Sequence, residues 1–139
     1  MFTGNSFGKT LDIMHREMDV SMLRRRVIAD NLANADTPHF KRSEVNFESF
    51  LKKALESENT RPALEMKVTN DRHIPNFRPL DYRDVQPVKH FDYLSTADNN
   101  GNNVDLEQEG MLALQNQMDY DLMVSVVRSK FNQVNSVLR

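Results

Sequence analysis

The chain has 139 residues and a mass of 16.2 kDa, room for one ordinary domain or two small ones. With 18 Lys and Arg against 20 Asp and Glu, the net charge is −2 and the pI about 6.1, which argues against a partner held by phosphate neutralisation. No cysteine is present, which excludes disulfides and thiolate chemistry, and an apolar share of 39% without Trp points to a modest core or one shared between chains.

From about Phe7 to Ala35 the spacing is helical. At 100° per residue, Leu11, Met14, Met18, Met22, Ala29 and Leu32 form one apolar stripe, and Ile13, Val20, Leu23 and Val27 form another on the far side. Two stripes predict a helix with neighbours on two sides. The stop is written into Asn31-Leu32-Ala33-Asn34-Ala35-Asp36-Thr37-Pro38: Pro38 disfavours the α region at Thr37, and Asn34 and Asp36 tolerate turn or left-handed conformations. The helix is expected to end near Asn34. Met1 to Thr10 is polar, with charges from Asp12 onward, so neither a cleavable secretion signal nor any membrane-spanning segment is expected.

Residues 39–103 read as a loop-rich middle. Phe47, Phe50, Leu51, Ala54 and Leu55 predict a short amphipathic helix, and Leu64, Met66 and Val68 alternate with polar residues as a brief strand. Pro62, Pro75, Pro79 and Pro87 leave no room for a long element, and the tract from Asp98 to Asn103 reads as a turn cluster.

From Val104 onward the helical signal returns. Asp105 is a good N-cap with Gln108 three residues later, and Asp105, Glu107 and Glu109 suit a helix N-terminus. Val104, Met111, Leu114, Met118, Leu122 and Val126 make one stripe; Tyr120, Met123, Val127, Phe131, Val134 and Leu138 make a second with near-heptad spacing. The fold class is therefore mainly α. Long terminal helices (residues 1–38 and 104–139) pair as an antiparallel, coiled-coil-like bundle, and the middle adds a short helix and little β structure. Pairing covers one stripe on each helix and leaves one on each exposed, larger than monomers tolerate. Faces that are not self-complementary associate head to tail. The chain reads as an assembly subunit.

The run Ile28-Ala29-Asp30-Asn31-Leu32-Ala33-Asn34-Ala35-Asp36-Thr37-Pro38 resembles the N-terminal signature of the flagellar axial proteins, the rod, hook and hook-associated family. Within that family, Gly101-Asn102-Asn103-Val104-Asp105-Leu106-Glu107, the short length and Thr69-Asn70-Asp71-Arg72-His73-Ile74 are similar to a proximal-rod subunit. Where the family usually carries Gly after Thr-Pro this chain has His39, which disfavours a positive φ there. Gly110 replaces a better helix former.

The resemblance implies a structural rod subunit in the periplasmic part of the basal body, exported through the flagellar apparatus without cleavage. It implies contacts with copies of itself, other rod subunits, the MS-ring adapter and the export gate. A cytoplasmic helical-hairpin adaptor, or another rod subunit of the same family, is the alternative.

No catalytic constellation appears. His15, His39, His73 and His90 lack metal-ligand spacing, and no phosphate loop or nucleophile motif occurs, so neither metal, cofactor, small-molecule substrate nor enzymatic activity is expected. Arg24, Arg25 and Arg26 point about 100° apart on a helix and are offset by Asp12, Glu17, Asp19 and Asp30, so nucleic acid is not expected either.

Overall fold

The computed structural model describes residues 6–60, 67, 69–70, 72–73, 79–95 and 101–138. Two long helices frame the chain, α1 (Ser6–Ala33) and α3 (Leu106–Val137), with the shorter α2 (Glu48–Asn59) between them. Two four-residue strands, β1 (Ser43–Asn46) and β2 (Val88–Phe91), form a two-stranded sheet, and a single 3₁₀ turn covers Tyr82–Asp84. The Asp92 N–H donates to the Arg42 carbonyl (2.8 Å), which continues the ladder in the antiparallel register.

The chain divides into two units, one containing the residues up to Val45 and from Lys89 onward, the other Asn46–Val88. In the first, α1 and α3 run antiparallel. Asn31 near the end of α1 meets Glu109 near the start of α3, and ten residues back along α1, Ser21 meets Asn116. The buried apolar residues of this unit are Val20, Val27, Ile28, Ala35 and Val104. Among its described residues, more buried side chains are polar than apolar.

In the second unit, Phe47, Leu51 and Ala54 of the predicted amphipathic pattern are buried, as is Tyr82 of the 3₁₀ turn. The Ser57 hydroxyl accepts from the Leu80 N–H (2.9 Å) and tethers the returning chain to the last turn of α2.

Most of the helix boundaries follow the expectation. α1 stops at Ala33, one residue before Asn34, and the N–H of Asn34 still reaches the carbonyls of Asp30 and Asn31. Asp105 caps α3 by accepting from the N–H groups of Glu107 (2.9 Å) and Gln108 (3.2 Å). α2 runs a turn further than the apolar pattern predicts, and the sequence pattern missed β1 and β2. The strand expected around Leu64–Val68 falls almost wholly outside the described residues.

Candidate functional site

The helix stop is built as a clasp. Asn31, 1% exposed, points into the junction rather than into a turn. Its Nδ2 donates to the Ser43 carbonyl (2.9 Å) and to Oε2 of Glu109 (3.2 Å), while its Oδ1 accepts from the Ser43 N–H (3.1 Å) and hydroxyl (3.3 Å). One side chain thereby ties α1 to the first residue of β1 and to the first turns of α3.

Arg42 completes the tie. Its Nε donates to Oε1 of Glu109 and its Nη1 to Glu44, while its backbone N–H donates to Oδ1 of Asn103 (2.7 Å). Burial alone would lower the pKa of the Arg42 guanidinium, but hydrogen bonding and attraction from Glu109, with help from Glu44, hold it above its ordinary value. The pair stays charged throughout the physiological range. A cleft of about 320 Å³ opens beside it, lined in part by Ile28, Val45 and Leu112, but Arg42 and Glu109 face one another there.

Asn102 closes the other side of the stop. It is fully buried, and its Nδ2 lies against the carbonyls of Asn34 (2.9 Å), Ala35 (2.6 Å) and Thr37 (3.0 Å), while its Oδ1 accepts from the Val104 N–H (2.8 Å). These are the carbonyls that the end of a helix leaves without intrahelical partners. Asn103 holds the Asp92 carbonyl (2.8 Å) through its Nδ2. The tract read as a surface turn cluster therefore includes two buried connectors. Further along, Ser21 and Asn116 exchange two hydrogen bonds, Oγ to Oδ1 (2.9 Å) and Nδ2 to the Ser21 carbonyl (3.0 Å).

Two expectations about the stop need correction. The left-handed residue is His39, at φ 61°, and neither Asn34 nor Asp36 has a positive φ. His is among the side chains that enter this region more readily, and the turn is held on both sides by the clasp. Gly101, at φ 79°, makes room for it, because a Cβ there would lie 2.9 Å from the His39 ring. Glu109 is not a solvated N-terminal acid but the buried partner of Arg42 and Asn31. Of the remaining motif residues, Thr37 donates its N–H to the Asn34 carbonyl (3.0 Å) and its hydroxyl to Asn34 Oδ1 (3.3 Å), while Leu32, Ala33, Asp36 and Pro38 lie at the surface.

The apolar stripes separate by face. On α1, Val27 is buried and Leu23 half-buried; Leu11, Met14 and Met18 are half-buried, and Met22 and Leu32 are exposed. On α3, Val126 and Val134 are half-buried, whereas Phe131 and Leu138 are exposed. Val104 precedes α3 and is buried. The rest of its stripe stands in water: Met111 is 67% exposed, and Leu114, Met118 and Leu122 are each 63% exposed. At 100° per residue that row lies about 200° from the inward line of Glu109, Asn116 and Met123. Four large apolar side chains in a continuous row on the outside of a helix are a surface built to be covered.

The sequence pattern missed Arg42, Glu109, Asn102, Asn103, Ser21 and Asn116. A usable signal was nonetheless present: stepping the inward stripe back from Met123 by seven residues gives Asn116, and by seven more gives Glu109.

No protein-family model matches the chain. It is similar to the flagellar basal body rod protein FlgB of Borreliella burgdorferi, with 45% identity covering 97% of this chain and 99% of that one. It is similar also to FlgB of Borrelia hermsii (44%, over 97% and 99%) and of Bacillus subtilis (30%, over 95% of each).

Proposed function

Because the chain belongs to the FlgB family of flagellar basal body rod proteins and is a structural subunit of that rod, we propose that it is joined to its neighbours through the outward rows of its two long helices. The observation that carries this is the row Met111, Leu114, Met118 and Leu122, exposed on the side of α3 turned away from α1. Met22, Ala29 and Leu32 supply the matching row on α1. The clasp of Asn31, Arg42, Glu109 and Asn102 fixes the two helices against each other, so the rows are presented on a set frame.

Burial at about 25 cal/mol per Å² of apolar surface is the driving force, and the work is packing alone, without catalysis, metal or cofactor. The subunit assembles with other rod components. Its placement in the proximal rod, beside the MS-ring adapter and the export gate, and its export without cleavage, follow from the resemblance of the 28–38 and 101–107 segments to proximal-rod subunits. The cytoplasmic hairpin adaptor is not favoured by any of the named relatives.

Leu122→Asp tests the proposal. The site is exposed in the single chain, so expression and helical content should stay at wild-type levels while rods fail to assemble and motility is lost. Normal swimming by this variant would overturn the assembly role of the row.

A further inference from the structure

Resting on the assembly role proposed above, the charges that flank the two rows select the occupant. From Val104 to Val127 the chain carries only acidic charges, and on α3 Glu107 and Asp121 lie within about 60° of the exposed row. From Ser21 to Ala33 it carries three arginines and one acid, Asp30. Arg25 lies within the α1 row between Met22 and Ala29, and Arg26 at its edge; both are exposed. Asp19 and Asp30 are set about 100° to the side. One row is thus acidic and apolar, the other basic and apolar, and both belong to the same molecule.

We propose that the outward row of α3 in one copy seats on the outward row of α1 in a second copy of this chain. Met111, Leu114, Met118 and Leu122 meet Met22, Ala29 and Leu32, with Glu107 and Asp121 facing Arg25 and Arg26. Like rows would place carboxylates against carboxylates or guanidinium groups against guanidinium groups, so charge opposes α3 on α3 and α1 on α1. On each helix the outward row lies about 140–200° from the inward one, so a copy turns its two rows to different sides. A single neighbour cannot cover both. The contact is head to tail, and each copy that docks presents a fresh row for the next.

The chain contains no cysteine, so introduced thiols report the contact without background. Met22→Cys chains and Met118→Cys chains are co-expressed in flagellated cells in place of the wild type, and their isolated basal bodies are oxidised. The mixed disulfide should exceed either same-position disulfide. Adding Arg25→Glu to every chain should cut its yield about tenfold, and adding Glu107→Lys with Asp121→Lys should restore it. Circular dichroism of the purified charge variants shows that they fold, and Ala29→Cys replaces Met22→Cys if that variant forms no basal bodies.

A predominance of the Met118→Cys homodisulfide overturns the head-to-tail pairing. Basal bodies that contain the chain but yield no disulfide overturn a second copy as the occupant. Neither result touches the assembly role of the row, which fails only if Leu122→Asp leaves rods intact.

Discussion

The two ends of the α1–α3 pair are held by different physics. Around Asn31, Arg42, Asn102 and Glu109 the contacts are buried, polar and directional. Toward the chain termini they are apolar and shallow: among the described residues, nothing in α1 before Val20 and nothing in α3 after Asn116 is buried. Directional bonds specify one register, since a shift by a single residue leaves a buried carboxylate or amide without its partner. Half-buried apolar contacts add stabilisation in proportion to area but select a register only weakly. The molecule therefore sets its geometry at the junction and leaves the distal helices to be completed by neighbours, because helices with so little cover are marginal in water.

The sharpest way to break that contrast is to remove the charge at its centre. Glu109→Ala leaves the guanidinium of Arg42 buried with Glu44 as its remaining carboxylate, and losing one partner of a buried pair costs about 3–5 kcal/mol. For a domain of this size that is a large part of the whole stability. Urea unfolding followed by circular dichroism should show the midpoint falling sharply or the folded state disappearing. Replacing both partners, Arg42→Met with Glu109→Leu, should be less harmful than Glu109→Ala alone. A distal substitution of equal cost would erase the distinction between the two ends.

Asn102→Ala comes next. It strips three carbonyls and the Val104 N–H of a buried partner, and groups left unsatisfied typically cost about 1–3 kcal/mol together with local loosening. Amide hydrogen exchange should quicken at the end of α1 and the start of α3 together, because one side chain serves both. Faster exchange confined to α3 would show that the stop holds without it.

A third substitution sharpens the comparison from the opposite direction. A Cβ at Gly110 would meet nothing within 4 Å, and the residue sits in the first turns of α3 beside the clasp. Gly110→Ala should therefore raise the stability of the single chain by about 1 kcal/mol, read as a higher urea midpoint with unchanged slope. The gain comes from backbone entropy alone and should leave assembly untouched.

The legible parts of the fold are those governed by periodicity and local chemistry. The apolar stripes locate α1 and α3, Pro38 and Asn34 mark the stop, and Asp105 serves as the predicted cap. The illegible parts depend on partners far away in the chain. Glu109 shares its composition with Glu107 and Asp105, and only its place on the inward line, with Asn116 one heptad further, separates a buried anchor from a solvated acid. Asn102 and Asn103 belong to a residue type that marks turns, and nothing local reveals that their amides cap carbonyls more than sixty residues earlier in one case and eleven in the other. β1 and β2 are four residues each and are set against each other at Arg42 and Asp92, so no alternation long enough to read exists. The positive φ of His39 is likewise decided by its surroundings.

The smallest expected effect lies at the rim of the clasp. The Asp92 carboxylate accepts hydrogen bonds from the Ser95 hydroxyl and from the N–H groups of Leu94 (2.9 Å) and Ser95 (3.1 Å). Those bonds, the hydroxyl's first, hold its pKa below the ordinary 3.8. A carboxylate whose folded pKa is depressed contributes stability above its unfolded value, and that contribution fades as the pH falls through the folded one. Asp92→Asn should therefore unfold slightly earlier than wild type in urea at pH 7, and the gap between the two midpoints should close at about pH 3 and below. Because the Asp92 N–H and carbonyl are already engaged by Arg42 and Asn103, the side chain only tightens a turn that the junction holds in place. A gap that persists unchanged in acid would mean that the turn, not the carboxylate, carries the difference, and the junction would then extend further along the chain than its buried residues indicate.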